Sequence, residues 1–233
     1  MLSAFLPGGV SCLLPTAGND LASQNDNLLS SIRGTKRGVE STVDTTAAVM
    51  RAIDALENAC DGQGDDDGGN WVNRLAGRWR LLFSTESGLT ALMGGRVPLV
   101  SAADVYQLVE SEGSLKNVVE FSRKGSSPAA TDVSSAPVRS TGAPRPTPAG
   151  SLIVSVEAVP NATVAPVRRM DFVFRRTGVR WGAEGGFDLP FAVGRGHFDV
   201  LHLDEALRVD RDANGWVNVY AYDGPVTRCT VGE

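Results

Sequence analysis

Between Asp61 and Asn70 the chain reads DGQGDDDGGN, and apolar residues recur with different periods on its two sides. Before it, in VDTTAAVMRAIDALENAC, Val49, Ala52, Ile53, Leu56 and Ala59 or Cys60 follow the i, i+3, i+4, i+7 spacing of an amphipathic helix. Asp44 or Thr45 is placed to cap that helix, and NLLSSIRGTKRG carries a shorter helical turn ahead of it. After the acidic stretch the period falls to two, as in strands with one buried face. RWRLLFST sets Trp79, Leu81 and Phe83 on one face and Arg78, Arg80 and Leu82 on the other. DVYQLVE, KNVVEFSR, SLIVSVEAV, RRMDFVFRR, HFDVLHL, LRVDR and WVNVYAYD continue the alternation. About eight short strands in one domain fit a closed up-and-down barrel, and a sandwich has the same strand statistics. A barrel of that size holds one small ligand among its inward side chains.

The domain plan follows from these shifts. Residues 1–24 read as a disordered or targeting segment, 25–60 as leading helices, 61–70 as an acidic linker, and 71–224 as the β domain. The run from Gly125 to Gly150 is rich in Ser, Pro, Ala, Gly and Thr, and reads as a disordered insertion between strands. Residues 225–233 form a tail. The first eighteen residues are apolar but broken by Pro7, Gly8, Gly9 and Pro15, and they lack the basic start of a secretory signal.

Composition narrows the function. The formal net charge of −5 in 233 residues opposes general nucleic-acid binding, which needs a basic face. Three scattered cysteines form no CxxC and no disulfide framework. Two histidines, His197 and His202, cannot build a multi-histidine zinc site. No window has the run of about 20 apolar residues of a membrane-spanning helix. No GxSxG, GxGxxG or Walker lysine-serine pair is present. The expectation is a protein with no catalytic residue, no metal and no cofactor.

The stretch HFDVLHLDEALRVDRDANGWVNVY concentrates mixed charge. Asp210, Asp212 and Asn214 before Gly215 faintly resemble a calcium loop, yet Ala221 stands where such a loop places its last acid. Asp212 to Gly215 reads instead as a hairpin turn. Arg208 stands apart. It either ties the sheet together through Asp204 or Asp210, or turns inward, where it needs partners or anchors a ligand's polar end. Trp79, Phe83, Phe121, Phe172, Phe174 and Phe198 read as core, and in a barrel the same residues line an apolar pocket.

Three blocks in order resemble the plastid lipid-associated protein, or fibrillin, family. LAGRWRLLFSTES, Leu75 to Ser87, is similar to the family's opening barrel segment, with Phe83 in place of Tyr. VYQLVESEGSLKNVVEFS is similar to its Tyr-Gln and Asn-Val-Val block. Phe198, Asp199, Leu203, Asp204, Leu207, Arg208, Val209, Arg211, Gly215 and Val219 match its C-terminal signature, with His202 where Tyr is usual. The helical LLSSIRGTKRG and RAIDALENAC resemble its leading helices. The resemblance implies a lipocalin-like antiparallel barrel behind one or two helices. It implies non-enzymatic binding of an isoprenoid quinone, carotenoid or acyl lipid, and contact with plastoglobules or thylakoids of the plastid. An isoprenoid-biosynthesis enzyme is a possible partner on the same grounds. Alternatives are a coat or scaffold protein without a ligand, and a barrel isomerase or cyclase. The residues expected at a ligand are Arg208, His202, Trp79, Phe83, Phe121, Phe172 and Phe174.

Overall fold

The computed structural model describes residues 17–61, 71–95, 100–110, 114–123, 148–164, 167–182, 185–189 and 194–226. Residues 1–16 of the expected targeting segment, nearly all of the acidic linker and of the Ser/Pro-rich insertion, and the last seven residues lie outside them. Helices α1 (Ala17–Ile32) and α2 (Val43–Asp61) come first, followed by the short α3 (Trp71–Arg74). Strand β1 (Gly77–Ser84) leads through α4 (Ser87–Met93) to β2 (Val100–Val109) and β3 (Ser114–Arg123). Then come β4 (Gly150–Pro160), β5 (Arg169–Trp181), β6 (Gly185–Leu189), β7 (Arg195–Leu203), β8 (Leu207–Asp212) and β9 (Val217–Tyr222).

All nine strands belong to one antiparallel sheet in the order β4-β3-β2-β1-β9-β8-β7-β5-β6, and a further β4–β5 pairing closes it into a ring. The long β5 makes this possible. Its first half, Arg169 to Val173, pairs with β7, and its second half, Thr177 to Trp181, pairs with β6. Along its other side it pairs with β4 over nearly its whole length. The β5–β6 hairpin therefore runs on past the start of β7 as a flange. Strand β6 was not expected from the sequence, because GGFDL is short and opens on two glycines, poor strand formers.

The ring separates two apolar layers. Inside it pack Trp79, Leu81, Val105, Val119, Val156, Met170, Phe198, Val200 and Tyr220, with Leu75 from the α3 turn. Outside it, Leu28 and Ile32 of α1 and Val49, Ala52, Ile53 and Leu56 of α2 cover Leu82, Phe83, Leu207, Val209, Val217 and Val219. The helices thus clothe one outer wall, β1-β9-β8, and do not enter the ring. Each such side chain taken fully out of water contributes roughly 1.5–3 kcal/mol.

Local chemistry sets the helix boundaries. The cap of α2 is Thr42, two residues before Asp44 and three before Thr45, the residues expected. Its amide donates to Thr45 Oγ1 at 2.7 Å, and the Thr45 amide donates back to Thr42 Oγ1 at 3.2 Å, the reciprocal pattern of a capping box. Helix α1 begins at Ala17, inside the segment read from sequence as unstructured. It gains its order by docking: Leu28 and Ile32, one turn apart, face the outer layer. Between the helices Arg37 reaches Asp104 at 2.9 Å and the Ala103 carbonyl at 3.2 Å. Gly38, with φ +92°, lets this loop lie on β1, since a Cβ there would sit 2.0 Å from the Ser84 carbonyl oxygen.

Candidate functional site

The inner face of the ring has a polar floor and an apolar wall. Arg208, in β8, is 0% exposed and turns inward. Its Nη2 lies 3.0 Å from Asp210 Oδ2 and donates to Gln107 Oε1 of β2. Gln107 Nε2 in turn donates to Asn117 Oδ1 of β3 at 3.0 Å. The guanidinium carbon stands 4.4 Å from the ring centre of Tyr220 and 5.1 Å from that of Trp79, close enough for cation–π attraction. Burial pushes the Asp210 carboxyl up to about 6, against the opposing pull of Arg208. Burial and the neighbouring Asp210 also push the Tyr220 phenol up. Three atoms of the ion pair lack a hydrogen-bond partner: Arg208 Nε, Arg208 Nη1 and Asp210 Oδ1. Arg208 thus faces inward and pairs with Asp210.

The wall is formed by β3, β4 and β5. Phe121, Leu152, Val154, Phe172 and Phe174 share the inward face, as their register with Val119, Asn117, Ala158 and Val156 requires. They pack against the inner core yet stay only partly buried, unlike Leu81, Val105 and Tyr220 opposite. Phe172 and Phe174 meet edge to face at 5.2 Å. Gly196 and Gly194 make room for them, because a Cβ at either would come within 2.9 Å of Phe172 or Phe174. The same face continues along the flange to Phe187, opposite Val179, and Trp181, opposite Gly185. Phe187 and Trp181 are half exposed, their rings tilted against each other with centres 5.7 Å apart.

Of the residues expected at a ligand, Arg208, Trp79, Phe121, Phe172 and Phe174 share this inner face. Two do not. Phe83 lies in the helix-covered layer, because the β1–β9 register shifts between Leu81 and Phe83. His202 pairs across from Val209, an outer residue, because the β7–β8 register shifts between Val200 and His202. Each shift inserts one residue and reverses the alternation beyond it. His202 lies 3.0 Å from Asp204 Oδ2, which also accepts from Asn25 Nδ2 of α1 at 2.6 Å. Asp204 Oδ1 accepts the amides of Ala206 and Leu207, each at 2.7 Å. Burial raises the Asp204 carboxyl, but these bonds outweigh it and hold the group well below the usual carboxylate range. His202 and Asp204 thus fasten α1 to the β7–β8 turn. Sequence reasoning missed Gln107 and Asn117, whose only sign was a polar residue at an inward position of each strand.

The remaining charges of the C-terminal cluster also have structural duties. Arg169 pairs with Asp199 at 2.6 Å. Arg211 reaches Glu57 of α2 at 3.6 Å. Asp212 Oδ1 accepts the amides of Asn214 and Trp216 and so closes the β8–β9 turn. Among the described residues no group of three or more His, Cys, Asp or Glu is placed to hold a metal ion, and no helix is long and apolar enough to cross a membrane.

These features define a class: an antiparallel β-ring with α1 and α2 on its outside, a half-open apolar inner wall and a buried ionic floor. The PAP_fibrillin family model matches residues 22–141, more than half of the chain, and the protein belongs to that family. The match spans α1 to β3, so the C-terminal block around Arg208 lies beyond it. A chromoplast-specific carotenoid-associated protein of Cucumis sativus is 31% identical over 96 residues, which cover 41% of this chain and 29% of that protein. A chloroplastic light-induced protein of Solanum tuberosum is 28% identical over 120 residues, 49% of this chain and 36% of that protein. A chromoplast-specific carotenoid-associated protein of an Oncidium hybrid is 30% identical over 130 residues, 54% of this chain and 40% of that one. The chain thus matches well under half the length of these relatives. No solved structure matches it.

Proposed function

We propose that this protein is a non-catalytic carrier of a lipophilic small molecule, an isoprenoid quinone, a carotenoid or an acyl lipid, held inside a lipocalin-like ring. The observation that carries the reading is the uneven burial of the inner face. In a ring filled by its own side chains, Phe121, Leu152, Val154, Phe172 and Phe174 would be as buried as the residues opposite them. They point inward and remain partly accessible, so apolar surface there is open to a guest. Each methylene moved from water onto such a surface contributes roughly 0.8 kcal/mol, and a long tail needs few polar contacts. Asp210, the inner carboxyl, is engaged in a buried ion pair with Arg208, which supports a carrier over an isomerase or cyclase. The names of the relatives, carotenoid-associated and chloroplastic or chromoplastic, support a plastid setting at lipid bodies or thylakoids.

The test is to purify the protein from its native membranes and identify lipids that accompany it by mass spectrometry. A stoichiometric lipid supports the carrier; its absence from repeated preparations refutes it. A second reading, peripheral attachment to a lipid surface, has its own observation. Trp181 and Phe187 project from the flange, half exposed, while Arg176 and Arg180 on the other face of the hairpin are paired with Asp188. Exposed aromatic rings suit the boundary between apolar tails and head groups.

A further inference from the structure

We propose that the floor of the ring is selective for neutral, hydroxyl-bearing lipids and disfavours anionic ones. The inference rests on the carrier reading and adds the chemistry of the head group. A lone buried arginine would select a carboxylate or phosphate. Arg208 is not alone, because Asp210 lies 3.0 Å away and both are almost wholly buried. The pair carries no net charge, and the groups packed around it, Trp79, Tyr220 and Gln107, add none. At pH 8 the Asp210 carboxyl, with its pKa near 6, is ionised. An entering anion would face that carboxylate as well as the guanidinium, and would leave water for a site with no surplus positive charge to replace its hydration.

The floor nevertheless offers hydrogen bonds. Arg208 Nε and Nη1 are donors without acceptors, and Asp210 Oδ1 is an acceptor without a donor. Buried groups of this kind are normally satisfied. Gln107 cannot serve them further, since its oxygen takes Arg208 Nη2 and its amide nitrogen gives to Asn117. A hydroxyl oxygen accepts from the guanidinium while its proton goes to Asp210, so one neutral group answers both signs. The hydrocarbon behind it would lie along Phe172, Phe174, Val154 and Leu152 toward the flange.

The experiment compares 1-dodecanol with dodecanoate at pH 8, which share a chain and differ in the head. Binding is followed by tryptophan fluorescence and by isothermal titration, with the unmodified protein. The expected result is at least tenfold tighter binding of dodecanol. Asp210→Asn gives the floor one net positive charge and is expected to shift that ratio at least tenfold toward dodecanoate. Equal binding, or tighter binding of dodecanoate, by the unmodified protein overturns the head-group proposal and leaves the carrier reading standing. So does a folded Asp210→Asn protein with an unchanged ratio. Binding of neither compound overturns the carrier reading, and the selectivity falls with it.

Discussion

Replacing Arg208 with Met keeps an unbranched stem between Trp79 and Tyr220 and removes only the guanidinium. Asp210, 2% exposed, then has no cation. Breaking a buried ion pair from one side costs about 3–5 kcal/mol. At about 2–4 °C per kcal/mol for a chain of this size, the expected loss is about 6–20 °C in Tm. Removing both charges in Arg208→Met/Asp210→Leu leaves no orphaned ion and is expected to restore most of that loss. What remains is the unpaired Gln107 oxygen, worth about 1 kcal/mol. The signature is non-additivity: the double variant is more stable than Arg208→Met alone.

The deficit also depends on pH, with a definite sign. The folded-state pKa of Asp210 lies above its ordinary value of 3.8. Between the two the folded protein binds more protons than the unfolded chain. The stability from protonated Asp210 is therefore full below pH 3.8 and is lost as pH rises through about 6, with a slope of up to about 1.4 kcal/mol per unit. Without the pull of Arg208 that window moves higher, so Arg208→Met is hurt more at pH 8 than at pH 5. Urea unfolding of the two variants and the parent at both pH values measures this. An Arg208→Met deficit under about 1 kcal/mol at pH 8, or one equal at both pH values, would falsify the buried-pair account.

Asp204→Ala strips the acceptor from Asn25, His202 and two turn amides, and a loss of about 1.5–3 kcal/mol is expected in chemical denaturation. Because the folded pKa of Asp204 is lowered, its contribution is present above the ordinary carboxylate pKa and fades as pH falls through the lower folded value; a parent-minus-variant difference that grows on acidification contradicts this. Thr42→Ala removes one half of the reciprocal cap on α2 and is expected to cost about 1 kcal/mol, read as earlier amide exchange in the first turn of α2 than in β9. Trp181→Ser/Phe187→Ser leaves the ring's core untouched and is expected to weaken flotation with lipid vesicles at least fivefold at unchanged Tm; unaltered flotation rules out the flange as the lipid contact.

The two-period pattern carried most of the architecture, since alternation at β1 to β5 and β7 to β9 is driven by one buried face. What alternation cannot carry is phase. Trp79, Leu81 and Phe83 read as one stripe, and they are one stripe until the inserted residue at Leu82 sends Phe83 to the helices. His202 was misplaced by the same device at Leu201. Nothing in the local sequence marks either bulge, because both stretches stay apolar on each side and each face of the sheet has a hydrophobic layer to accept them. Gln107 and Asn117 were hidden for another reason: alternation sets Asn117 on one face with Val119 and Phe121, but a lone polar residue there gains a role only when a partner such as Arg208 is placed across the ring.

Period-two alternation lets one strand, β8, serve two layers. Leu207 and Val209 point out to the helices while Arg208 and Asp210 point in. All four are buried, so this part of the strand has no solvent face and a substitution at any of the four meets packed atoms. That is why the mixed charge of LRVDRD does not mark an exposed edge. The sheet is covered outside by α1 and α2, and the charges inside are forced to neutralise each other in a confined space. A ring that needed only to be filled could have placed leucines there at lower cost. The retained ion pair, with donors and an acceptor still unspent, places hydrogen-bonding capacity at the end of an apolar wall. On the proposed carrier reading, an amphiphilic guest would lie in that order, tail along Phe172 and Phe174, head at Arg208 and Asp210.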